Sequence, residues 1–284
     1  MRKTGVLLCG FVVLLSLRSH SQTSIGTTPS WLKFLGNGES GAFSCTSGNC
    51  LVEDEFWVTS FNVSAGATVY SVGDGPLIIR STGACTIAGE VANSPSFSAA
   101  QGLGQGGIGD FGGGGGGGGG GTAAGMSGFW TAGDANAEIN VGGIHGAAGG
   151  GNGGNAGSPV IPQYRQLLSG GTFWPVGGSI GGQGGSSGGK AGQGGGPVIF
   201  VCDSINFTGT INVSGGAGQP APANNTGAGG GGGGGYAILS ADSYVANTGT
   251  INVSGGAGGG CNGFTGCGTG GNGGNGWSIV INIQ

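Results

Sequence analysis

The sequence predicts an all-β protein: a parallel β-solenoid, or β-helix-like stack of short strands, joined by long glycine-rich excursions. Three observations support this fold class. The eleven residues TGTINVSGGAG occur twice, at 208–218 and at 248–258. Each copy follows an apolar run, so strand-like motifs recur at a fixed interval. Of the 284 residues 79 are glycine, and they gather between the apolar runs.

Residues 1–21 have the composition of a secretory signal peptide. Arg2 and Lys3 form a basic start, residues 6–17 are an apolar core, and small residues precede Gln22. The apolar core is too short for a stable transmembrane span. We therefore expect a secreted or cell-surface chain that is not an integral membrane protein after cleavage, with an uncleaved anchor as the alternative.

Cleavage would make the chain more acidic. Three of the seven basic side chains lie in residues 1–21 and all eleven acidic ones lie beyond them, so the mature net charge is −7. A sparse negative surface does not attract nucleic acids or anionic membranes. We therefore expect no nucleic-acid partner.

Six cysteines remain after cleavage, and an even number in an exported chain predicts disulfides. Cys45/Cys50 and Cys261/Cys267 are close enough for local loops, which leaves Cys85 and Cys202 to pair across the fold. This is the most economical of the fifteen pairings that six cysteines allow. Zinc binding is a weak competing interpretation, because the mature chain has one histidine, His145, and no CxxC pair. No metal or cofactor is predicted.

The repeated motif TGTINVSGG has the pattern of a half-buried strand. Its apolar side chains alternate with Thr, Asn and Ser, as in a strand with one covered face. Identical motifs in neighbouring layers of a stack would place identical residues one above the other, isoleucine on isoleucine and asparagine on asparagine. The final residues WSIVINIQ alternate similarly and could close the stack. The predicted core positions are Ile211, Val213, Ile251, Val253, Ile279 and Ile281.

Two further features of each repeat concern the backbone. The runs at 198–201 and 237–239 are apolar at successive positions, which suits strands covered on both faces or strands of a parallel sheet. Gly209 and Gly249 stand just before the strand words, where a sharp corner needs a residue without Cβ.

The chain divides into four parts after this pattern. Residues 1–21 are the signal peptide, and residues 22–98 are predicted to form an N-terminal β cap and the first layers. Residues 99–196 are a glycine-rich region with aromatic loops. Residues 197–284 hold the repeated layers with glycine-rich insertions. Terminal layers of a stack are commonly atypical because they must seal an apolar end.

The long glycine tracts at 112–121 and 229–235 have two interpretations. They could be flexible loops that leave the corners of the stack. Alternatively, they could be extended polyglycine II helices packed side by side and hydrogen-bonded to their neighbours, since backbones without Cβ atoms can approach closely. The strict Gly-X-Y period of collagen is absent.

The words TGTINVSGGAGG, with a glycine tract and an apolar strand before them, resemble glycine-rich secreted bacterial surface proteins of the β-solenoid type. This resemblance covers residues 56–284. The glycine tracts are also similar to those of phage tail-tip adhesins, which pack polyglycine helices and recognise the host surface with aromatic loops. That resemblance implies binding roles for Phe129, Trp130, Phe173 and Trp174, which stand between glycine tracts. The signal peptide departs from the phage pattern and favours an exported cellular protein.

Catalytic motifs are not specific against this glycine background. Residues 184–188 match GxSxG, but no strand–turn–helix context surrounds the serine. Residues 184–190 approach a phosphate loop, but Ala191 replaces the residue that would hold magnesium. We therefore expect a non-enzymatic protein.

Two functions stand closest to each other. One is a self-assembling extracellular filament, matrix or surface-layer subunit, in which an open terminal strand offers an edge to the next copy. The other is an adhesin that binds a surface glycan through the aromatic loops. Copied layers and the scarcity of acidic residues favour self-assembly, whereas the loop aromatics favour adhesion. We therefore expect the filament or matrix subunit, with the adhesin as the alternative. Ice binding and a β-helix enzyme are less favoured alternatives.

Overall fold

A computed structural model describes residues 22–23, 35–53, 55–71, 76–94, 119–121, 151–153, 181–186 and 188–283. Regular secondary structure within these ranges consists of β-strands. The first eight are β1 (Gln22–Thr23), β2 (Ala42–Cys45), β3 (Gly48–Val52), β4 (Glu55–Val58), β5 (Ser60–Val63), β6 (Ala67–Ser71), β7 (Leu77–Ile87) and β8 (Glu90–Ala92). The other five are β9 (Val198–Phe207), β10 (Thr210–Asn212), β11 (Tyr236–Asn247), β12 (Thr250–Asn252) and β13 (Trp277–Asn282).

The strands form two parallel sheets. The larger has the order β1-β13-β11-β9-β7-β5-β2, with β4 also paired to β7, and the smaller has the order β12-β10-β8-β6-β3. From β5 to β12, successive strands along the chain belong alternately to the larger and to the smaller sheet. The all-β prediction and the parallel pairing are therefore confirmed. Strands from 22–98 and from 197–284 belong to the same two sheets.

The two copies of the repeated motif lie side by side in the smaller sheet. Thr210, Ile211 and Asn212 pair in register with Thr250, Ile251 and Asn252. The side-chain amide of Asn252 donates to Oδ1 of Asn212 at 3.4 Å. The stacking of identical residues predicted from the sequence is therefore present.

A core of apolar side chains lies between the two sheets. Ile211 and Val213 are fully buried in it, whereas Ile251 and Val253 are half-buried and pack against it from the last layer. The larger sheet contributes Val198, Phe200, Ala237, Leu239 and Val280, among others, from alternate positions.

The opposite face of the larger sheet is also apolar and buried. Ile199, Val201, Ile238, Ile279 and Ile281 form a second cluster there. Strands β9 and β11 therefore bury both faces, as their successive apolar residues predicted. In β13 it is Val280, between the two isoleucines, that faces the main core.

Three disulfides join the pairs proposed from the sequence. Cys45–Cys50 and Cys261–Cys267 close local loops, and Cys85–Cys202 links β7 to β9 across 117 residues. Cys85 and Cys202 are fully buried in the main core. Near the N-terminal end of the stack, Nε of the buried Arg80 donates to Oε1 of Glu55 at 2.9 Å, which joins β7 to β4.

The described glycine-rich residues form six hydrogen-bonded segments beside the sheets. We call them legs and number them in chain order: leg 1 (181–186), leg 2 (188–196), leg 3 (214–221), leg 4 (227–235), leg 5 (254–260) and leg 6 (268–276). Legs 3 and 5 leave from the ends of β10 and β12, and legs 2, 4 and 6 lead back into β9, β11 and β13. Together with residues 119–121 and 151–153 they form what we call the glycine bundle.

Leg 4, which contains the seven-glycine tract 229–235, lies at the centre of the bundle. Its backbone groups exchange hydrogen bonds with all five other legs and with Gly119. Partners recur every third residue: Gly231 and Gly234 donate to Gly271 and Gly274 of leg 6. Every residue of this leg is buried. This tract is therefore an ordered, hydrogen-bonded element; of the tract 112–121, residues 112–118 lie outside the described part of the chain.

Candidate functional site at the tip of the glycine bundle

The glycine bundle has two ends of different character. At one end, which we call the base, its legs join the strands of the two sheets. At the other end, the tip, leg 3 turns into leg 4 through residues 222–226 and leg 5 turns into leg 6 through residues 261–267. The tip is the part of the bundle farthest along the legs from the sheets.

The turn between legs 5 and 6 is closed by a disulfide. Cys261 and Cys267 have their Cα atoms 5.8 Å apart, and the amide of Phe264 donates to the carbonyl of Cys261 at 2.9 Å. Asn262 and Gly263 adopt positive φ angles of 48° and 83°, the conformation that tight turns require. The phenyl ring of Phe264 stands on this turn with 38% of the residue exposed.

The neighbouring turn holds this one in place. The amide of Asn225 donates to the carbonyl of Thr265 at 2.8 Å, and the amide of Thr265 donates to Oδ1 of Asn224 at 3.0 Å. Thr226 Oγ1 donates to the carbonyl of Ala223 at 2.6 Å within its own turn. The backbone beneath Phe264 is therefore fixed by a covalent bond and by two hydrogen bonds from a second turn.

The chemistry of the two turns is neutral. Residues 219–228 and 259–268 contain no Asp, Glu, Lys, Arg or His. Asn262 and Thr265, on either side of Phe264, are exposed. These two turns therefore present one aromatic ring surrounded by amide and hydroxyl groups, which can contact a partner by stacking and by uncharged hydrogen bonds.

The aromatic residues proposed from the sequence stay a prediction. Phe129, Trp130, Phe173 and Trp174 lie outside the described residues. The flanks of 122–150 are described: the amide of Gly120 donates to the carbonyl of Gly151, and the amide of Gly268, at the start of leg 6, donates to the carbonyl of Gly120. Both ends of the segment that contains Phe129 and Trp130 therefore start from the tip.

Sequence reasoning did not single out Phe264. The signal that could have found it is the word CNGFTGC, in which two cysteines enclose a short turn with a single large apolar residue. The structure places this ring at the surface, with 38% of the residue exposed.

The described ranges show neither a metal-binding cluster nor a membrane-spanning helix. They hold no group of three or more His, Cys, Asp or Glu residues arranged for a metal ion. In the same ranges, no helix has the length and apolar character needed to span a membrane. Every cysteine that the structure describes is in a disulfide.

Comparisons with known proteins give no indication of function. No protein-family model matches the chain. The searches of curated proteins and of solved structures likewise find no match.

Proposed function

We propose that this chain is an exported, non-enzymatic surface-binding protein, an adhesin whose binding surface is the tip of the glycine bundle. The observation that carries the proposal is Phe264, exposed on a disulfide-closed, uncharged turn at the end of the bundle away from the sheets. Aromatic side chains are enriched in the centres of protein interfaces, and this ring is held in place before any partner binds.

The two sheets would hold the glycine bundle in place at its base. We infer that they form a parallel β-solenoid, because the chain alternates between two parallel sheets and adds its layers in sequence order from β5 to β12. The copied residues at 210–212 and 250–252 stack in register as neighbouring layers of such a solenoid would. A stack of this kind fixes where each glycine excursion leaves and returns.

The legs would be the stalk. We infer that they are polyglycine II helices, because their inter-leg hydrogen bonds recur every third residue, the period of that helix. At its rise of ~3.1 Å per residue, the nine residues of leg 4 would span about 28 Å. A bundle in which each leg is bonded to several others would hold the tip turns rigidly and far from the base.

Rigidity matters for binding because ordering a mobile loop costs free energy at the moment of association. The tip turns are ordered before binding by Cys261–Cys267 and by the bonds of Asn224 and Asn225. Export is supported by the three disulfides, which are compatible with an oxidising extracellular environment. We infer that the aromatic residues Phe129, Trp130, Phe173 and Trp174 add further contacts.

A binding screen tests this function. The mature protein would be applied to arrays of glycans and to whole-cell surfaces, and any binding would be measured again with Phe264→Ala, Trp130→Ala and Trp174→Ala. We expect Phe264→Ala to weaken binding by about tenfold or more, with thermal stability unchanged. Gln193→Ala, an exposed position on leg 2 away from the tip, is the matched control and should bind as the wild type does. Equal binding by Phe264→Ala and the control would refute a role for the tip.

Self-assembly into a filament is the second candidate, and a specific observation favours it. Within the described part of the chain, β3 pairs with β6 alone and β12 with β10 alone, so the smaller sheet has an open edge at each end. Leu51 in β3 is 49% exposed and Val245 in β11 is 75% exposed. Open edges at opposite ends can join head to tail. Electron microscopy of the mature protein distinguishes the two: fibres would support the filament, and compact single particles would support the adhesin.

A further inference from the structure

Polar groups with open hydrogen-bonding capacity surround the ring of Phe264. Within the described part of the chain, the carboxamide of Asn262 and the hydroxyl of Thr265 make no hydrogen bond, and both residues are exposed. The exposed Asn224 accepts from the amide of Thr265 with its Oδ1, which leaves its NH2 group as a donor. These side chains can therefore offer donors and acceptors to a partner that covers the ring.

The same groups stand on a backbone that the two tip turns hold in place. Asn262 has a φ angle of 48° within the disulfide-closed turn, and the amide and carbonyl of Thr265 are both bonded to the neighbouring turn. The Oδ1 of Asn225 occupies the space that a Cβ on Gly266 would need, so the two turns are in close contact. A partner that binds here therefore loses little free energy in ordering the site.

We propose that these turns bind an uncharged saccharide, with one face of a sugar ring stacked on Phe264 and its hydroxyl groups bonded to Asn262, Thr265 and Asn224. This inference rests on the proposed function and specifies the ligand. A sugar ring has C–H groups on its faces and hydroxyl groups around its rim, and each hydroxyl both donates and accepts. An aromatic ring bordered by carboxamide and hydroxyl groups is complementary to that arrangement.

The charge of the molecule disfavours acidic ligands. Residues 219–228 and 259–268, which include both turns, contain no charged side chain, and the whole chain has eleven Asp and Glu against seven Lys and Arg. A sulfated or carboxylated glycan would find no positive charge in these turns and would be repelled by the negative net charge. The complementary glycan is therefore a neutral one.

An apolar partner fits the two turns less well than a sugar does. Phe264 is the one large apolar side chain in 219–228 and 259–268. A lipid surface placed over this ring would remove water from Asn262 and Thr265 without replacing the lost hydrogen bonds, which costs free energy. The hydroxyl groups of a sugar replace that water with hydrogen bonds of their own.

The test measures binding of the full mature chain to immobilised oligosaccharides of glucose, galactose, mannose and N-acetylglucosamine, and to sulfated forms of the same oligosaccharides. Asn262→Gly removes the carboxamide and tolerates the positive φ angle, and Thr265→Val removes the hydroxyl. We expect each to weaken binding of a neutral oligosaccharide about threefold to tenfold. Gln193→Ala, which removes an exposed carboxamide on leg 2, is the matched control and should bind as the wild type does.

Two further readouts separate a sugar from other ligands. Phe264→Leu keeps an apolar side chain but loses the flat ring, and we expect it to weaken binding about threefold to tenfold. Because the two turns are uncharged, raising the salt concentration from about 0.05 M to about 0.5 M should change the dissociation constant by less than about twofold. Thermal unfolding of every variant checks that its fold is retained.

Each outcome decides the inference. Neutral oligosaccharides that bind at both salt concentrations, and bind more weakly to the variants at Phe264, Asn262 and Thr265, support it. If the wild type binds cell surfaces through Phe264 but binds no neutral oligosaccharide, or binds the sulfated forms more tightly, the ligand class is wrong while the tip remains a binding surface. If no binding depends on Phe264, this inference and the proposed function both fail. Should Asn262→Gly not fold, Thr265→Val and Phe264→Leu decide the same question.

Discussion

Individual glycines in this chain have two separate physical roles. Gly263 and Gly266 in the tip turn have φ angles of 83° and 64°, which residues with a side chain rarely adopt. Gly232 in leg 4 has no such angle, but a Cβ built on it would lie 2.0 Å from the carbonyl oxygen of Gln193. Most of the glycine in the bundle is therefore explained by the close approach of neighbouring backbones.

Alanine substitutions separate these close positions from open ones. We expect Gly232→Ala to destabilise the protein by about 1–3 kcal/mol or to prevent folding, because a rigid backbone surrounds the new methyl group. Gly260→Ala in leg 5 is the matched control: its Cβ would meet nothing nearer than Asn262 Oδ1 at 3.8 Å. The free energy of unfolding in denaturant measures both variants. Equal stability of the two would contradict the close-packed bundle.

Strands and legs differ in how they carry side chains. Strands β9 and β11 bury both faces, so nearly every residue in their first halves is apolar. Apart from the buried alanines Ala221 and Ala228, the side chains of the legs are exposed or half-buried. Exposed positions recur every third residue, as with Lys190 and Gln193 in leg 2 and Asn272 and Asn275 in leg 6. The corner glycine Gly209, between β9 and β10, needs its missing Cβ because the carbonyl oxygen of Gly89 would lie 2.0 Å from it.

The disulfide between β7 and β9 is expected to be the most stabilising of the three. It closes a loop with a sequence separation of 117, against 6 for Cys261–Cys267. In the chain-entropy account this corresponds to about 4–5 kcal/mol for the long loop and about 2–3 kcal/mol for the short one. Chemical unfolding of Cys85→Ala/Cys202→Ala and of Cys261→Ala/Cys267→Ala measures the difference. A larger loss from the tip pair than from the buried pair would contradict this prediction.

As a whole, the molecule joins a hydrogen-bonded glycine bundle to a pair of parallel sheets through every layer of its C-terminal half. Legs 3 and 4 connect β10 to β11, and legs 5 and 6 connect β12 to β13. Each strand layer therefore sets the position of a pair of legs, and the legs bond to the pair before them. The two parts should fold and unfold together.

Hydrogen exchange of the intact protein tests this coupling. We expect the amides of 229–232, 234 and 235 to exchange as slowly as those of β9. They are buried and donate to backbone carbonyls of neighbouring segments, and β9 is paired with a strand on each side. Exchange of 229–235 within seconds under native conditions, while β9 stays protected, would show that the glycine tract opens independently of the sheets.

Much of the fold could be inferred from residue pattern. Period-two alternation identified Ile211 and Val213 as buried strand positions, and successive apolar residues identified β9 as covered on both faces. Copied words predicted the in-register pairing of Asn212 with Asn252. Even cysteine count and loop length led to the three disulfides. These features are local or repeat-encoded, so the order of residues along the chain is sufficient to specify them.

Other features depend on contacts between residues far apart in the chain. Glycine has no side chain to mark a buried face, so composition could not show whether tract 229–235 is ordered. Its order follows from its hydrogen bonds to six neighbouring segments. The same is true of Asn272 and Asn275, whose side chains accept from the amides of Gly258 and Gly255 on the neighbouring leg. The tip, too, arises because two turns forty residues apart meet through Asn225 and Thr265. A residue pattern records what a strand or turn needs locally, whereas backbone-to-backbone packing has no such signature and emerges only when the segments come together.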